Sequence, residues 1–561
     1  MRMCKKYLIL LLFLFSGICL SAQQVDNHRF EMSKNLEIFN ALVKELDLFY
    51  VDSIQSNKLI TDGINGMLGK LDPYTNYISE EEQSDFNFMT TGEYGGIGSI
   101  IVTRGRQTYI AEPYEGMPAA LSGLKAGDEI LEIDGVKIED IAEPSEKLKG
   151  QPNTKVKIKY LRSGSKPATL EIVRKRIQMN PVTYSGVLSG TIGYLRLSNF
   201  TEQCAQEVKL AFEELKRKHD ITSVILDLRD NPGGIMEEAV QIANIFVPKG
   251  EVIVSTRGKV KQWDRIYRTT LDALDENIPL AVLVNDGSAS ASEIVSGAVQ
   301  DLDRGVVIGG RTFGKGLVQV SRELPYNTSL KVTSSKYYIP SGRCIQAIDY
   351  AHRRQDGSVG AIPDSLTSVF YTKKGRPVRD GGGVTPDVRL EERRKANIIY
   401  YLVADYSIFD YVTRWTQKHE TIASAEEFVF PEADYEDFKL YIKEKDFKYD
   451  RQSEKALASL KEIMNFEGYS EAAKAELEAL EAKLQPDLDR DLELNKEDIL
   501  DFLSLEIVKR YYYQKGEITQ SLKKDQQVKK ALEILNDSAL YQQILTTPGH
   551  LSELPSNSNK K

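Results

Sequence analysis

The chain has 561 residues, of which 41% are hydrophobic and 28% are charged, and its formal net charge is −9. This length predicts several domains rather than one core, and the composition is that of a soluble globular protein. The negative charge, together with the lack of a basic stripe with interleaved aromatic residues, argues against nucleic acid as a partner.

The N-terminus has the pattern of a secretory signal peptide. A basic start, Met1–Lys6, precedes the apolar run Tyr7–Phe15, which is too short to span a bilayer comfortably, and small residues lead up to Ala22. We therefore predict a signal peptide over residues 1–22 and an exported, periplasmic protein.

A membrane-associated form is the alternative to soluble export. In that form Cys19 would be acylated as in a lipoprotein, but Ile18 is large for the residue before such a cysteine. After removal of the signal peptide we expect no integral membrane span, because no later stretch is long and apolar enough to cross a bilayer.

Residues 25–88 are predicted to be helical. Apolar residues recur there at helical spacing, at Leu36, Phe39, Leu42, Val43, Leu46 and Phe49. Asp72-Pro-Tyr-Thr-Asn76 indicates a turn. We interpret this region as a pair of packing or dimerisation helices, so a homodimer through helical regions is an expected partner.

Residues 90–176 change to a β pattern. Gly92-Glu-Tyr-Gly-Gly-Ile-Gly98 precedes the β-like run Ser99–Thr103, and a short helix is predicted from Pro118. Residues 129–138 predict two strands around a tight Asp134-Gly135 turn. Alternating apolar residues indicate two further half-buried strands, at Val156–Leu161 and Thr169–Val173.

Strands and helices then alternate over residues 186–345, which predicts an α/β layer structure. The apolar strands are predicted at Ile192–Leu197, Ser223–Leu228, Val252–Ser255, Pro279–Val284 and Val306–Ile308. Helices are predicted near Gln206–Lys218, Glu237–Phe246 and Ser292–Leu302, and a hairpin at Leu317–Glu323 and Ser329–Tyr338.

From about residue 390 the chain is helical, charged and rich in glutamate. Residues 471–484 have helical periodicity, and charges four residues apart support an exposed helix. We find no residue pattern in this region that indicates chemistry.

Two motifs in the α/β region carry candidate catalytic groups. Ser288-Ala-Ser-Ala-Ser292-Glu293 follows an apolar strand, and Arg311-Thr-Phe-Gly-Lys315-Gly lies downstream. A serine hydroxyl attacks a carbonyl only when a base removes its proton. Since none of the five histidines lies in or beside these motifs, lysine is the best available base. Its unperturbed pKa of about 10.4 must then fall, which burial achieves.

Each motif also has a purely structural interpretation. Ser290 and Glu293 have the spacing of a capping box, so Ser290 can serve as a helix cap. Lys315 can be an exposed turn lysine, although flanking glycines and apolar neighbours allow it to point inward. Asp227-Leu-Arg-Asp-Asn-Pro-Gly-Gly234 can be a simple strand-to-helix turn, with Asp227 and Arg229 paired for support, or its glycines can direct N–H groups into an anion site.

Taken in chain order, these motifs resemble the C-terminal processing peptidases, which are tail-specific serine proteases with a Ser–Lys dyad. Five features of residues 35–390 carry the resemblance: Gly-Gly-Ile-Gly98, the Gly-Leu-Lys-Ala-Gly-Asp-Glu-Ile run of a PDZ domain, the Asp227–Gly234 motif, and the serine and lysine motifs, with Gly381-Gly-Gly-Val-Thr-Pro-Asp387 similar to the closing motif of the core.

The resemblance implies a multidomain α/β protein in which a β-rich PDZ domain is inserted ahead of an α/β serine-peptidase core, with helical N- and C-terminal regions. The expected divisions are a signal peptide at 1–22, a helical region at 25–88, a PDZ domain at 90–176, a peptidase core at 177–390 and a helical region at 391–561.

The resemblance also assigns roles to single residues. Ser290 would be the nucleophile, Lys315 the general base and Gln319 the glutamine that orients the lysine. The N–H of Ala291 and one from Gly233 or Gly234 would form the oxyanion hole, and the sequence leaves open which glycine donates. No metal or organic cofactor is implied.

The PDZ segment implies the partners, which are protein or peptide substrates with accessible C-termini. A peptide adds as a strand to a sheet edge, with its terminal carboxylate on main-chain N–H groups. Gly96-Ile97-Gly98 supplies such a loop, and Ile100 is placed to line the side-chain pocket. The alternative function is a non-catalytic PDZ scaffold or binding protein on the same fold, against which the intact Ser290, Lys315 and Gln319 argue.

Overall fold

The computed structural model of the chain describes residues 29–350, 352–354, 357–390, 395–484 and 487–546. The predicted signal peptide lies outside the described residues. Two compact units are present and are described separately below. Of the described residues, the first unit contains 29–78 and 321–332, and the second contains the others.

The first unit has helix α1 (29–49), helix α2 (Ser56–Leu68) and strand β1 (Asn76–Ile78). The turn predicted after α2 is present, because one carboxylate oxygen of Asp72 accepts the N–H groups of Tyr74 and Thr75, both at 2.8 Å. The region is less helical than predicted. Strand β1 follows the turn and pairs antiparallel with residues 329–331.

The second unit begins with a small antiparallel β domain. Its sheet has the strand order β3-β4-β5-β7-β8, with β6 beside β5, and β2 pairs with β9. Positive φ angles at Asp134 (52°) and Gly135 (82°) form the predicted tight turn between β5 and β6. The elements are α3 (Gln83–Thr91), β2 (Glu93–Gly96), β3 (Ser99–Arg104), β4 (Gln107–Pro113), α4 (Pro118–Leu121), β5 (Glu129–Ile133), β6 (Val136–Lys137), α5 (Pro144–Leu148), β7 (Lys155–Leu161), β8 (Ala168–Val173) and β9 (Lys175–Gln178).

An α/β core follows. Its central sheet has the order β10-β11-β12-β15-β16-β21, in which β10 is antiparallel to β11 and the other neighbours are parallel. The elements are β10 (Val182–Ser189), β11 (Ile192–Leu197), α6 (Cys204–His219), β12 (Ser223–Asp227), α7 (Met236–Phe246), β13 (Val252–Gly258), β14 (Arg265–Arg268), β15 (Leu280–Val284), α8 (Ala291–Asp301), β16 (Val306–Gly309), β17 (Leu317–Leu324), β18 (Thr328–Tyr338), β19 (Val369–Tyr371), β20 (Pro377–Arg379) and β21 (Val388–Arg389).

The last part of the second unit is helical, as predicted. Helix α13 has no buried residue, in agreement with the exposed helix expected there. Helices α9, α10, α11, α14 and α15 contribute to one apolar cluster of their own. The elements are α9 (Asn397–Ala404), α10 (Ser407–Thr416), α11 (Glu432–Glu444), α12 (Gln452–Glu467), α13 (Lys474–Lys483), α14 (Leu488–Leu494), α15 (Lys496–Leu522), α16 (Gln526–Asn536) and α17 (Ser538–Thr546).

Both faces of the central sheet are covered by helices. Successive residues of a strand point to opposite faces. On β12, Val224 and Leu226 pack in the cluster that includes α6, α7 and α8, whereas Ile225 packs in the cluster that includes α16 and α17. The continuous apolar runs of these strands therefore follow from burial on both sides.

Candidate active site

Ser290 lies in the connection between β15 and α8. It is the last residue before α8, with φ 55° and ψ −112°, backbone angles that few residues other than glycine adopt. Ser288 and Ser292 are fully buried, and their hydroxyls donate to the main-chain oxygens of Leu228 and Asn231, both at 2.8 Å. Ser290 is partly exposed. It is therefore the serine of this motif that a substrate can reach.

Glu293, in the first turn of α8, is fully buried and connects the serine and lysine motifs. Its Oε2 accepts the main-chain N–H groups of Ser290 (2.8 Å) and Lys315 (2.9 Å). Its Oε1 accepts the hydroxyl of Thr312 (2.6 Å) and the N–H of Gly314 (2.8 Å). Because one oxygen binds both nitrogens, the backbones of Ser290 and Lys315 are held side by side.

The predicted capping box is thus part of a larger arrangement. The Glu293 carboxylate accepts the Ser290 N–H, as a capping box requires, but it also fixes a segment about twenty residues downstream. Burial raises the pKa of Glu293 above its ordinary value, and the hydrogen bonds from Thr312, Lys315, Gly314 and Ser290 oppose that effect.

The glycines beside Lys315 are required by close packing. A Cβ on Gly314, whose φ is 87°, would lie 2.4 Å from the Cβ of Ala347, and one on Gly316 would lie 2.8 Å from the main-chain nitrogen of Gln346. The N–H of Gly316 donates to Oε1 of Gln346 at 2.8 Å. Lys315 itself is partly buried.

The β17–β18 hairpin carries two further polar side chains. Gln319 on β17 donates through Nε2 to Oγ1 of Thr333 on β18, at 3.2 Å. Tyr337 on β18 donates its hydroxyl to the main-chain oxygen of Ser290 at 3.1 Å, and its N–H donates to the main-chain oxygen of Gly316. Burial raises the pKa of Tyr337 well above its ordinary value, so this phenol remains a donor.

At the end of β12, Asp227 and Arg229 form the predicted pair. Asp227 is fully buried, and Nε and Nη2 of Arg229 donate to its two oxygens at 2.9 Å and 2.6 Å. Tyr194 also donates to Asp227, at 2.5 Å. Burial alone would raise the pKa of Asp227, but the charge of Arg229 and these hydrogen bonds outweigh it and keep the pKa below its ordinary value.

The glycine pair that follows lies against the start of α8. Gly233 has φ 96°, and a Cβ there would lie 2.6 Å from the main-chain oxygen of Ala289 and 2.8 Å from the nitrogen of Ala291. No other residue type fits this approach. The loop therefore meets the helix end where main-chain N–H groups carry partial positive charge.

The two glycines direct their N–H groups differently. The N–H of Gly233 donates to Oδ1 of Asn231 at 2.9 Å. Phe200 bonds the chain on either side of Gly234, donating to the oxygen of Gly233 (3.0 Å) and accepting from the N–H of Ile235 (2.8 Å). In such a parallel bridge the N–H of the middle residue, Gly234, points away from Phe200.

Comparisons with known proteins identify the family. Family models match peptidase family S41 at residues 191–353, a PDZ domain at 109–162 and the C-terminal helical domain of a probable PDZ-protease at 398–535. A carboxy-terminal-processing protease of Bartonella bacilliformis is 37% identical over 343 residues, which cover 60% of this chain and 78% of that protein. The chain belongs to peptidase family S41.

A second curated relative agrees with this assignment. The S41 peptidase is 35% identical over 316 residues to a probable CtpA-like serine protease of Staphylococcus aureus, covering 55% of this chain and 62% of that protein. Solved structures similar to this chain include the photosystem II D1 C-terminal processing protease. The two are 27% identical, the match covers 62% of this chain and 86% of that chain, and the TM-score is 0.34. Another is the PDZ domain of a Vibrio cholerae carboxy-terminal protease in complex with peptide. The two are 30% identical, the match covers 16% of this chain and 99% of that chain, and the TM-score is 0.15.

The three family models and the two bacterial relatives confirm the predicted family, the serine-peptidase class and the fold class, with a PDZ domain ahead of an α/β core and a helical C-terminal region. The alternative of a non-catalytic scaffold has no support among the relatives named above, which are proteases.

The PDZ domain of the S41 peptidase places Ile100, one of the predicted peptide-binding residues, on an edge strand, and the other three just before that strand. Strand β3 pairs with β4 on one side and forms the end of its sheet. Ile100 on β3 is 45% exposed, whereas the side chain of Ile97 is 3% exposed and packs in the domain core. Gly96 ends β2, and Gly98 has φ 71°. Ile97 can therefore contact a peptide through its main chain alone.

Three residues at this site make contacts that the sequence does not indicate. Glu293 was recognised as a cap but not as the link to Lys315, and Thr312 and Tyr337 were not singled out. Thr312 belongs to the lysine motif, so its position was visible in the sequence. Nothing local marks Tyr337, whose hydroxyl reaches Ser290 from 47 residues along the chain.

Two kinds of feature are absent from the part of the chain that the structure describes. In the ranges that the structure describes, no group of three or more His, Cys, Asp and Glu side chains is placed to hold a metal ion. No helix among the residues with described positions combines the length and apolar character needed to cross a membrane.

Proposed function

We propose that this protein is an exported endopeptidase that engages protein C-termini through its PDZ domain and cleaves peptide bonds with a Ser290–Lys315 dyad. One observation carries the proposal: a single oxygen of the buried Glu293 carboxylate accepts the main-chain N–H groups of both Ser290 and Lys315. The two proposed reacting residues therefore have fixed relative positions, as nucleophilic catalysis requires.

In the proposed reaction the Ser290 hydroxyl attacks the substrate carbonyl carbon while Lys315, uncharged, takes the hydroxyl proton. The tetrahedral intermediate collapses as Lys315 returns that proton to the leaving amine, which leaves an acyl-enzyme. Water, deprotonated by Lys315, then attacks the ester and releases the acid and free Ser290. Gln319, on the strand that follows the lysine motif, would orient Lys315.

The proposed oxyanion hole consists of the N–H groups of Ala291 and Gly234. Ala291 is the first residue of α8, where the helix dipole favours negative charge. Gly234 is the better second donor, because the N–H of Gly233 already donates to Asn231 and that of Gly234 points away from Phe200. Of the two glycines that the sequence left open, the proposal therefore names Gly234.

Substrate C-termini would add to the free edge of β3. The terminal carboxylate would accept main-chain N–H groups of Gly96–Gly98, and the exposed Ile100 would contact a substrate side chain. The domain divisions stay as predicted from the sequence, and export through the signal peptide at residues 1–22 is part of the proposal. Exposed apolar side chains on α1, among them Phe39 and Phe49, support a homodimer.

Paired variants test the dyad. Ser290→Ala and Lys315→Arg should each abolish turnover of an unfolded protein substrate while the melting temperature stays close to the wild-type value, because arginine keeps the charge but does not deprotonate. Lys336→Arg, the same change at an exposed site on β18, should have no effect. Turnover by Ser290→Ala would refute the proposed nucleophile, and near-normal turnover by Lys315→Arg would refute the proposed base.

A further inference from the structure

Arg229 contacts a second carboxylate, from the C-terminal helical region. Its Nη1 lies 2.6 Å from Oδ2 of Asp525, while Nε and Nη2 bind Asp227 at the end of β12. The Arg229 and Asp525 side chains are 15% and 14% exposed. At this burial an ion pair is screened less than at an open surface, so loss of one partner has a larger effect.

Asp525 is held rigidly where it meets Arg229. Its Oδ1 caps α16 by accepting the N–H groups of Gln527 (2.9 Å) and Val528 (3.0 Å). Helix α16 is seated on the central sheet, where Val528 and Ala531 are buried in the cluster that includes Ile225 of β12. The helix is therefore fixed against the same strand that ends at Asp227.

The loop that follows Arg229 leads directly to Gly234, one of the two proposed oxyanion donors. The main-chain oxygen of Asn231, two residues on, accepts the N–H of Ala289 (3.0 Å) and the hydroxyl of Ser292 (2.8 Å). Gly233 packs against the start of α8. A displacement of Arg229 therefore moves a loop that is bonded to both sides of Ser290.

We propose that Asp525 is a positioning residue for the peptidase reaction: its charge holds Arg229, and through Arg229 the loop that supplies an oxyanion donor. The proposal rests on the oxyanion hole described under the proposed function. It gives the C-terminal helical region a part in the chemical step, which neither the family match nor the sequence pattern assigns to it. Substrate binding at the PDZ domain does not involve this contact.

Two substitutions at Asp525 separate its charge from its role as a helix cap. Asp525→Asn keeps a good cap but removes the charge, whereas Asp525→Glu keeps the charge but is a poor cap. Asp537→Asn is the matched control, because Asp537 caps α17 through the N–H groups of Ala539 and Leu540. Each full-length variant is assayed for kcat, KM and melting temperature, with Ser290→Ala in parallel.

We expect Asp525→Asn to lower kcat about tenfold with KM changed less than about twofold, because the lost contact acts on the transition state. Asp525→Glu should retain more kcat than Asp525→Asn although its melting temperature is lower. Asp537→Asn should keep the wild-type kcat. If Asp525 acted only as a helix cap, Asp525→Glu would lose more kcat than Asp525→Asn.

Wild-type kcat in Asp525→Asn, or a lower kcat in Asp525→Glu than in Asp525→Asn, would overturn the proposal. Should Asp525→Asn fail to fold, Asp525→Glu decides alone: kcat near the wild-type value supports the proposal, and a loss of about tenfold overturns it. Failure of the proposed function gives a different result, namely turnover by Ser290→Ala.

Discussion

Replacing Glu293 by glutamine tests the link between the two motifs with almost no change in shape. The carboxylate accepts four donors, two on each oxygen. A glutamine NH2 in the Oε2 position would face the N–H groups of both Ser290 and Lys315. In the Oε1 position the NH2 group would face the Gly314 N–H and the hydroxyl of Thr312. That hydroxyl can rotate and accept a hydrogen bond from the NH2 group.

The orientation with the NH2 group in the Oε1 position is therefore favoured. One buried N–H, that of Gly314, loses its acceptor, which costs about 1–3 kcal/mol. The bonds from Ser290 and Lys315 remain but lose the help of a full charge. We expect Glu293→Gln to reduce the free energy of unfolding by about 1–3 kcal/mol and kcat by about tenfold to a hundredfold, since each 1.36 kcal/mol of lost transition-state stabilisation is tenfold.

The assay compares kcat on an unfolded protein substrate with chemical denaturation of the same samples. Glu213→Gln on α6, the same change at an exposed site, is the control and should match the wild type. Wild-type kcat and wild-type stability in Glu293→Gln would refute the view that this carboxylate positions the dyad. A loss of stability without a loss of kcat would limit its role to folding.

Three further predictions follow from the packing, the PDZ edge and the buried ion pair. Gly314→Ala should lower kcat and stability, because its Cβ would overlap Ala347. Gly375 is the control, because its φ of 88° is nearly the same and a Cβ there would meet no atom within 4 Å. Gly375→Ala should lower the free energy of unfolding by about 1 kcal/mol and keep activity. Equal losses of kcat and stability in the two variants would refute the packing argument. Amidating a substrate's C-terminus should weaken its binding and slow its cleavage, and equal turnover of amidated and free substrates would contradict tail recognition. The pKa of Asp227 is below its ordinary value, so the ionised carboxylate stabilises the folded protein. This stabilisation is present above about pH 4 and is lost as the pH falls below that. The stability difference between wild type and Asp227→Asn should therefore narrow at acid pH, and denaturation curves showing a constant difference would contradict this.

The sequence alone determined the main strands of the α/β core and the candidate reacting residues. Strands β11, β12, β15 and β16 were predicted within about a residue of their ends, because a strand buried on both faces is a continuous apolar run that local reading detects. Ser290 and Lys315 were identified by their motifs. Short or more polar strands such as β14 (Arg265–Arg268) and β21 (Val388–Arg389) carry no such run and were missed.

Only the tertiary structure decided what these residues are attached to. The sequence marks Glu293 as a helix cap, and no local pattern reveals that its carboxylate also binds the N–H of Lys315. Likewise, the sequence pattern of a charged amphipathic helix is the same whether its apolar stripe packs against neighbouring helices or against a sheet distant in the chain. That α16 covers the second face of the core, and brings Asp525 to Arg229, depends on contacts between residues about three hundred positions apart, which periodicity does not encode.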